Sequence, residues 1–272
     1  MRIKITHETA YSYDAPAKST IQMLRLTPRG HDGQAVLKWS LDTEADARLI
    51  RREDWYGNIM HTAYANGPID AVRIKVTGEV ETTDTGGIVR GAAERFPDGF
   101  YRRETPLTAA DPALRAFAEE IGARSPNPLD RAHALMAAIH DTMRFDTAVT
   151  DAATPAREAF AAGHGVCQDF THVFLAAARH LGLPARYVSG YLHQPDRTVQ
   201  EAGHAWAEAL IEDLGWVTFD AANSTSTTEH YIRLAIGLDY LEAAPVRGSY
   251  HGASEEKLSV SLRIESARQA HS

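Results

Sequence analysis

The single cysteine of the chain, Cys167, stands in Gly165-Val166-Cys167-Gln168-Asp169-Phe170-Thr171-His172, where an apolar helical period begins. His204 follows in Gly203-His204-Ala205-Trp206, and Asp220 ends Trp216-Val217-Thr218-Phe219-Asp220. A thiol, an imidazole and a carboxylate are the parts of nucleophilic acyl transfer. The thiolate attacks a carbonyl carbon, the imidazole manages the proton, and the carboxylate orients the imidazole. The thiol cannot do this unaided. A free cysteine has a pKa near 8.5, so about 3% is thiolate at pH 7. A helix N-terminus favours the anion by roughly 0.3–1 kcal/mol, up to ~2 in partly buried geometries. Reaching a pKa near 4 takes roughly 6 kcal/mol at 1.36 per unit, so an imidazolium on another element must supply the remainder.

His204 is the candidate for that imidazolium. Gly203 to Leu210 alternates large polar or aromatic residues with alanine, and Gly215 to Asp220 follows a short turn around Glu212-Asp213. A hairpin centred on residue 212 would set His204 opposite Asp220, Trp206 opposite Thr218 and Glu208 opposite Trp216. Directly opposed side chains stand about 4.5–5.5 Å apart at Cβ, close enough for a carboxylate to hold an imidazole nitrogen.

Each residue also has a plainer reading. A cysteine at a helix start is commonly a small buried apolar side chain, His204 a surface strand residue, and Asp220 a turn former. Their joint order and the hairpin geometry favour chemistry. A metal reading would use His164, Cys167 and His172, but it lacks a second ligand pair and would consume the nucleophile. No metal and no cofactor are expected, and no acidic loop resembles an EF-hand. His133, His140 and His180 fall on helix faces as ordinary residues, and Asp169 caps or charges the helix start.

The elements that must position these groups follow from periodicity. Residues 1–82 read as β, including a run in which Val72, Ile74, Val76 and Val80 share a face. The pattern suggests an antiparallel sandwich. Residues 83–106, with Gly86-Gly87, Gly91, Pro97, Gly99 and Pro106, read as a linker. Residues 107–272 read as a catalytic core. Asp111-Pro112, Asn127-Pro128 and Thr154-Pro155 each start a helix, and a fourth runs from Cys167 until Gly182-Leu183-Pro184 stops it. Strands are expected at 186–192, 204–211, 216–221, 231–240 and 258–264. Helices followed by consecutive antiparallel strands make the class α+β.

Among 272 residues, 44% are hydrophobic and 24% charged, with a net charge of −8. The acidic balance disfavours nucleic acid and anionic membranes as partners. No apolar run reaches the length of a membrane span, and Met1 to Thr6 alternates like a strand rather than a signal peptide. One cysteine excludes an internal disulfide. A cytoplasmic location fits, since a reducing compartment keeps a thiol free.

Four blocks in order, the Cys167 block, Pro184 to Tyr191, Gly203 to Trp206 and Trp216 to Asp220, resemble the bacterial transglutaminase-like superfamily. The first 80 or so residues, with Asp54-Trp55-Tyr56-Gly57-Asn58, resemble its β-rich N-terminal domain. The resemblance implies a papain-like core with Cys167 as nucleophile, His204 as general base and acid, and Asp220 as orienting carboxylate. One departure is visible: Ala221-Ala222-Asn223 stands where the family commonly has Pro-Thr-Asn. The implied chemistry is attack on a peptide or isopeptide amide through a thioester, hydrolytic by preference. A glutamine-directed transferase or deamidase and a non-catalytic binding module are the alternatives. The Cys167 N–H is the expected oxyanion donor, with Gln168 and Tyr191 as candidates for a second. Arg186 and Trp206 are candidates for the cleft, although packing suits Trp206 better. A peptide or protein substrate and a possible homodimer complete the expectations.

Overall fold

The computed structural model describes residues 1–44, 46–147, 150–253 and 255–267. Four strands come first: β1 (Arg2–Thr27), β2 (Gln34–Thr43), β3 (Ala47–Glu53) and β4 (Ile59–Thr82). A two-residue β5 (Ile88–Val89) and a 3-10 turn (Asp98–Arg102) lead to the helices α1 (Pro112–Gly122) and α2 (Pro128–Thr142). Then come β6 (Arg144–Phe145), α3 (Ala156–Ala162), β7 (His164–Gly165) and α4 (Cys167–His180). The remainder is β8 (Ala185–Leu192), β9 (Val199–Gln200), β10 (His204–Ile211), β11 (Gly215–Phe219), β12 (Tyr231–Gly237), α5 (Tyr240–Ala243), β13 (Val246–His251) and β14 (Glu256–Ser266).

The N-terminal strands form one antiparallel sheet of seven, ordered β2-β4-β1-β14-β9, with β3 also on β4 and β13 also on β1. β1 and β4 are 26 and 24 residues long, enough to carry two partners end to end. The first half of β1 pairs with β14 and its second half with β13. Irregularities between Ser12 and Ser19 separate the two registers. Period-2 alternation buries Ile3, Ile5, Val72, Ile74, Val76 and Val80 in one core. At Gly78 a Cβ would come within 2.1 Å of the Trp39 ring, so the indole lies directly on the backbone there.

The second antiparallel sheet is ordered β12-β8-β10-β11-β5 and packs against α4. Ala205, Ala207 and Ala209 of β10 share an apolar core with Phe170, Val173, Phe174 and Ala177 of α4. Three alanines in a row on one strand face let the helix approach closely, and each large side chain so buried contributes about 1.5–3 kcal/mol. The Asp111 carboxylate caps α1 through Leu114 N at 2.8 Å, and Asn127 caps α2 through Leu129 N and Asp130 N. α3 begins after Pro155 without a side-chain cap and ends at Gly163, whose φ is +72°.

The strands of the N-terminal region are hydrogen-bonded into a single sheet, in which β1 and β4 pair with each other and each takes two further partners end to end. Residues 246–251 and 256–266, grouped by sequence with the core, pair with β1. The 83–106 connection is itself packed: Val89 pairs with Trp216, and Tyr101 is buried. The strand expected over 231–240 stops at Gly237, and α5 begins at Tyr240 after its cap, Asp239. Among the described residues no helix is long and apolar enough to cross a membrane.

Candidate active site

Cys167 is the first residue of α4, half-buried, and the helix start around it is built by a carboxylate. Asp169 turns back so that its Oδ2 accepts from Val166 N at 2.8 Å and from Thr150 Oγ1 at 2.7 Å. The group is fully buried, and burial pushes its pKa up. Gly165 leaves room for it, since a Cβ there would lie 2.5 Å from Asp169 Oδ2. Thr171 Oγ1 donates to the Cys167 carbonyl at 2.7 Å. The thiol therefore sits on a rigid, positively polarised helix end, with the Cys167 N–H free of intrahelical duty.

His204 opens β10, and Asp220 follows directly on β11. The imidazole Nε2 meets Asp220 Oδ2 at 2.6 Å. The hairpin that brings them together is offset from its expected register. Glu208 faces Thr218 rather than Trp216, and Leu210 faces Trp216. The cause is the turn: Leu214 N donates to Ile211 O at 3.2 Å and Asp213 takes a left-handed φ of 66°, moving the centre one residue on. Each pairing consequently shifts by two. A two-residue shift keeps every side chain on its face, so His204 and Asp220 become diagonal neighbours instead of opposed ones.

Burial disfavours a charged imidazole, but the hydrogen bond to Asp220, then the Cys167 thiol beside the ring, outweigh it and lift His204 to about 10. Burial likewise opposes ionisation of Asp220, and the His204 hydrogen bond and charge, with Asn223 and Tyr231, hold it below its ordinary value. Asp220 Oδ2 receives Tyr231 Oη–H at 2.8 Å and Asn223 Nδ2–H at 2.7 Å as well as the imidazole. Asn223 N adds a bond to Oδ1 at 3.2 Å. With Nε2–H committed to the carboxylate, Nδ1 is the nitrogen left to exchange a proton with sulfur.

The other sequence candidates divide. Gln168 stays beside the nucleophile, half-buried, with Nε2 donating to Asp151 O at 3.4 Å. Tyr191 does not stand with it: its hydroxyl bonds His7 Nδ1 at 2.8 Å and its ring packs into the N-terminal core, because the end of β8 reaches that sheet. The Tyr191 oxyanion reading is withdrawn on that ground. Trp206 is buried, with its ring 6.2 Å from His204 and edge-on to Tyr231 at 5.4 Å, a floor rather than a cleft wall. Arg186 is fully buried too, so it lines no cleft. Its guanidinium lies 3.7 Å over Trp216 and bonds Glu208 at 2.6 Å and Glu94 at 2.8 Å. Of His164, Cys167 and His172, the last is engaged elsewhere: its Nε2 accepts from Tyr240 N at 3.1 Å, and burial lowers that ring to about 3. Sequence reasoning missed Tyr231, Glu208, Glu94 and Arg233. The signal for Glu208 was present, since it shares the His204 face of β10 at i+4.

Two family models match the chain. Residues 115–221 match the transglutaminase-like superfamily core, and residues 3–81 match the bacterial transglutaminase-like N-terminal region. The chain belongs to the transglutaminase-like superfamily. Among its relatives are uncharacterized proteins of Mycobacterium leprae, 28% identical over 97% of this chain and 98% of that one, and of Mycobacterium tuberculosis, 27% identical over 94% and 90%. The solved structure of "a Putative Cysteine Protease from Cytophaga hutchinsonii" covers 97% of this chain and 98% of its own, with a TM-score of 0.77 at 19% identity. That likeness is one of fold. It extends across 97% of this chain, both sheets included.

Proposed function

We propose that this transglutaminase-like protein is a cysteine-dependent hydrolase of peptide or isopeptide amides. The observation that carries the reading is the 2.6 Å contact between His204 and Asp220 beside a thiol at a helix start. Cys167 thiolate attacks the amide carbon, and the oxyanion draws on the Cys167 N–H. Collapse of the intermediate expels the amine, which takes the imidazolium proton from His204 and leaves a thioester. Water then attacks the thioester, its proton passes to His204, and the carboxylic acid departs as the thiolate re-forms. Hydrolysis is the preferred reading: Cys167 is half-buried and the His204 side chain keeps 11% of its exposure, so water can reach the acyl-enzyme. A reducing cytoplasm suits the free thiol.

The test has two parts. Cys167 should be alkylated by iodoacetamide below pH 7 at least about tenfold faster than an unperturbed thiol, and His204→Ala should abolish the advantage. Equal rates in both proteins would remove the ion pair and leave a non-catalytic module. A peptide library offered with a labelled primary amine then separates the chemistries. New peptide termini support hydrolysis, whereas amine incorporation makes the protein a glutamine-directed transferase.

A further inference from the structure

β12 is the edge strand of the catalytic sheet, with β8 on one side only. An open edge exposes unpaired backbone N–H and C=O groups and invites slippage or aggregation. Here the edge is closed by two buried side-chain amides from the N-terminal sheet. Gln34 Nε2 donates to Arg233 O at 3.0 Å, and Arg233 N donates back to Gln34 Oε1 at 2.8 Å. Asn58 repeats the device: its Nδ2 donates to Ile236 O at 2.8 Å and its Oδ1 accepts from Ile236 N at 2.9 Å. Each amide imitates the paired N–H and C=O of a neighbouring strand, at two points on either side of the irregularity between Arg233 and Ala235.

The two amides are themselves held. Gln34 Nε2 also reaches Arg29 O at 2.8 Å. Asn58 is fixed by Asp54, whose Oδ2 takes Asn58 Nδ2 at 2.9 Å and Arg25 Nε at 2.8 Å, while its Oδ1 takes the N–H groups of Tyr56 and Asn58. This accounts for the polar members of the Asp54-Trp55-Tyr56-Gly57-Asn58 turn. Tyr56 adds a hydrogen bond to Glu242, which accepts from Leu238 N at 2.8 Å just beyond β12. Every anchor converges on the strand that begins with Tyr231.

We propose that Tyr231 is a positioning residue for Asp220, and that the N-terminal sheet acts on the catalytic site by holding β12, through Gln34 and Asn58, where the Tyr231 hydroxyl reaches that carboxylate. The N-terminal region is then part of the catalytic apparatus rather than a separate docking module. The inference rests on the Cys167-His204-Asp220 reading for its consequence, but the contact it describes is independent of any turnover.

The decisive measurement is therefore made on Asp220 itself. In protein labelled with 13C-aspartate, with Asp220→Asn used to assign the signal, Tyr231→Phe should raise the Asp220 titration by roughly one pKa unit, since it removes one of the donors to the anion. Gln34→Ala should move it the same way by a smaller amount, on the order of a few tenths of a unit, because the hydroxyl remains and only its support is loosened. The iodoacetamide rate of Cys167 at pH 5–6 should fall in Tyr231→Phe, because the carboxylate that orients His204 loses one of the bonds that fix it. An unmoved Asp220 titration in Tyr231→Phe overturns the positioning role, and a Gln34→Ala protein identical to the parent in both readouts overturns the coupling to the N-terminal sheet. If Tyr231→Phe does not fold, Gln34→Ala and Asn58→Ala carry the test through the same two signals. An unactivated thiol in the parent protein would instead defeat the catalytic reading while leaving the Asp220 titration to judge this one.

Discussion

β10 carries two acid–base partnerships four residues apart, and they differ in what they can do. At its start His204 meets Asp220; at its middle Glu208 meets Arg186 at 2.6 Å and Arg233 at 2.8 Å. Both acids are fully buried, and both lie among hydrogen-bond donors. The difference is the base. An imidazole can gain or lose its proton within reach of neutral pH, whereas a guanidinium stays charged. Exposure does not separate them: the His204 side chain keeps 11% and that of Arg233 13%, while those of Arg186 and Glu208 keep none. The first pair turns on a base that can release its proton, the second on guanidinium groups that stay charged. Burial and a short contact do not by themselves mark chemistry; what separates the two partnerships is a base that can titrate.

The sharpest way to break the comparison is Glu208→Gln. It keeps the volume but leaves two guanidinium groups facing a neutral amide, Arg186 with only its second partner, Glu94. Removing one member of a buried ion pair costs about 3–5 kcal/mol, so denaturant unfolding should report a loss of that order. A loss below about 1 kcal/mol, the range of exposed pairs, would mean that the Glu208 cluster is no scaffold and that the two partnerships are not different in kind.

How much of this contrast was visible in the sequence depends on the range of the interactions. The order Cys167, His204, Asp220 and the alternation Gly203 to Leu210 are local, and they put His204 and Asp220 within reach despite a register wrong by two. The error survived because strand side chains repeat every two residues, whereas a shift of one would have separated the pair. Nothing local distinguishes Asp213 as the left-handed residue that moved the turn, since asparagine, aspartate and glycine all tolerate that region. The return of 256–266 to β1 was invisible for another reason: a strand pattern gives its faces but not its partner, and β1 lies some 250 residues away. Gln34 and Asn58 were opaque too, because an amide that closes a distant strand edge looks like any polar turn residue.

The second test is pH. His204 is raised from 6.5 to about 10, so the stability its pairing contributes is fully present below pH 6.5 and is lost as pH rises through about 10. Glu208 is lowered from 4.5 to about 2 by Arg233 and Arg186 against the opposing effect of burial. Its contribution is present above pH 4.5 and is lost only as pH falls through about 2. Between pH 7 and 10.5 the parent protein should therefore lose roughly 2–4 kcal/mol that His204→Ala does not lose. Thermal unfolding of the two proteins across that window measures the difference. Parallel curves would show that His204 gains no net stabilisation from its partners, and the reversible member of the comparison would disappear.

The smallest expected effect comes from Glu94→Ala, which trims the Glu208 cluster from its exposed side. The Glu94 side chain retains 38% exposure, and its bidentate contact to Arg186 Nη1 spans the 83–106 segment and β8. With its carboxylate at the surface, this half-exposed pair should contribute about 1 kcal/mol, near the upper end for exposed pairs. Arg186 keeps Glu208 and the Trp216 face, so its charge is never left bare. Unfolding should shift by no more than about 1 kcal/mol, and the alkylation rate of Cys167 should not move. A cost as large as that of Glu208→Gln would place the compensation of Arg186 in the 83–106 segment, and that segment, rather than β12, would then be the partner without which β10 cannot hold its charge.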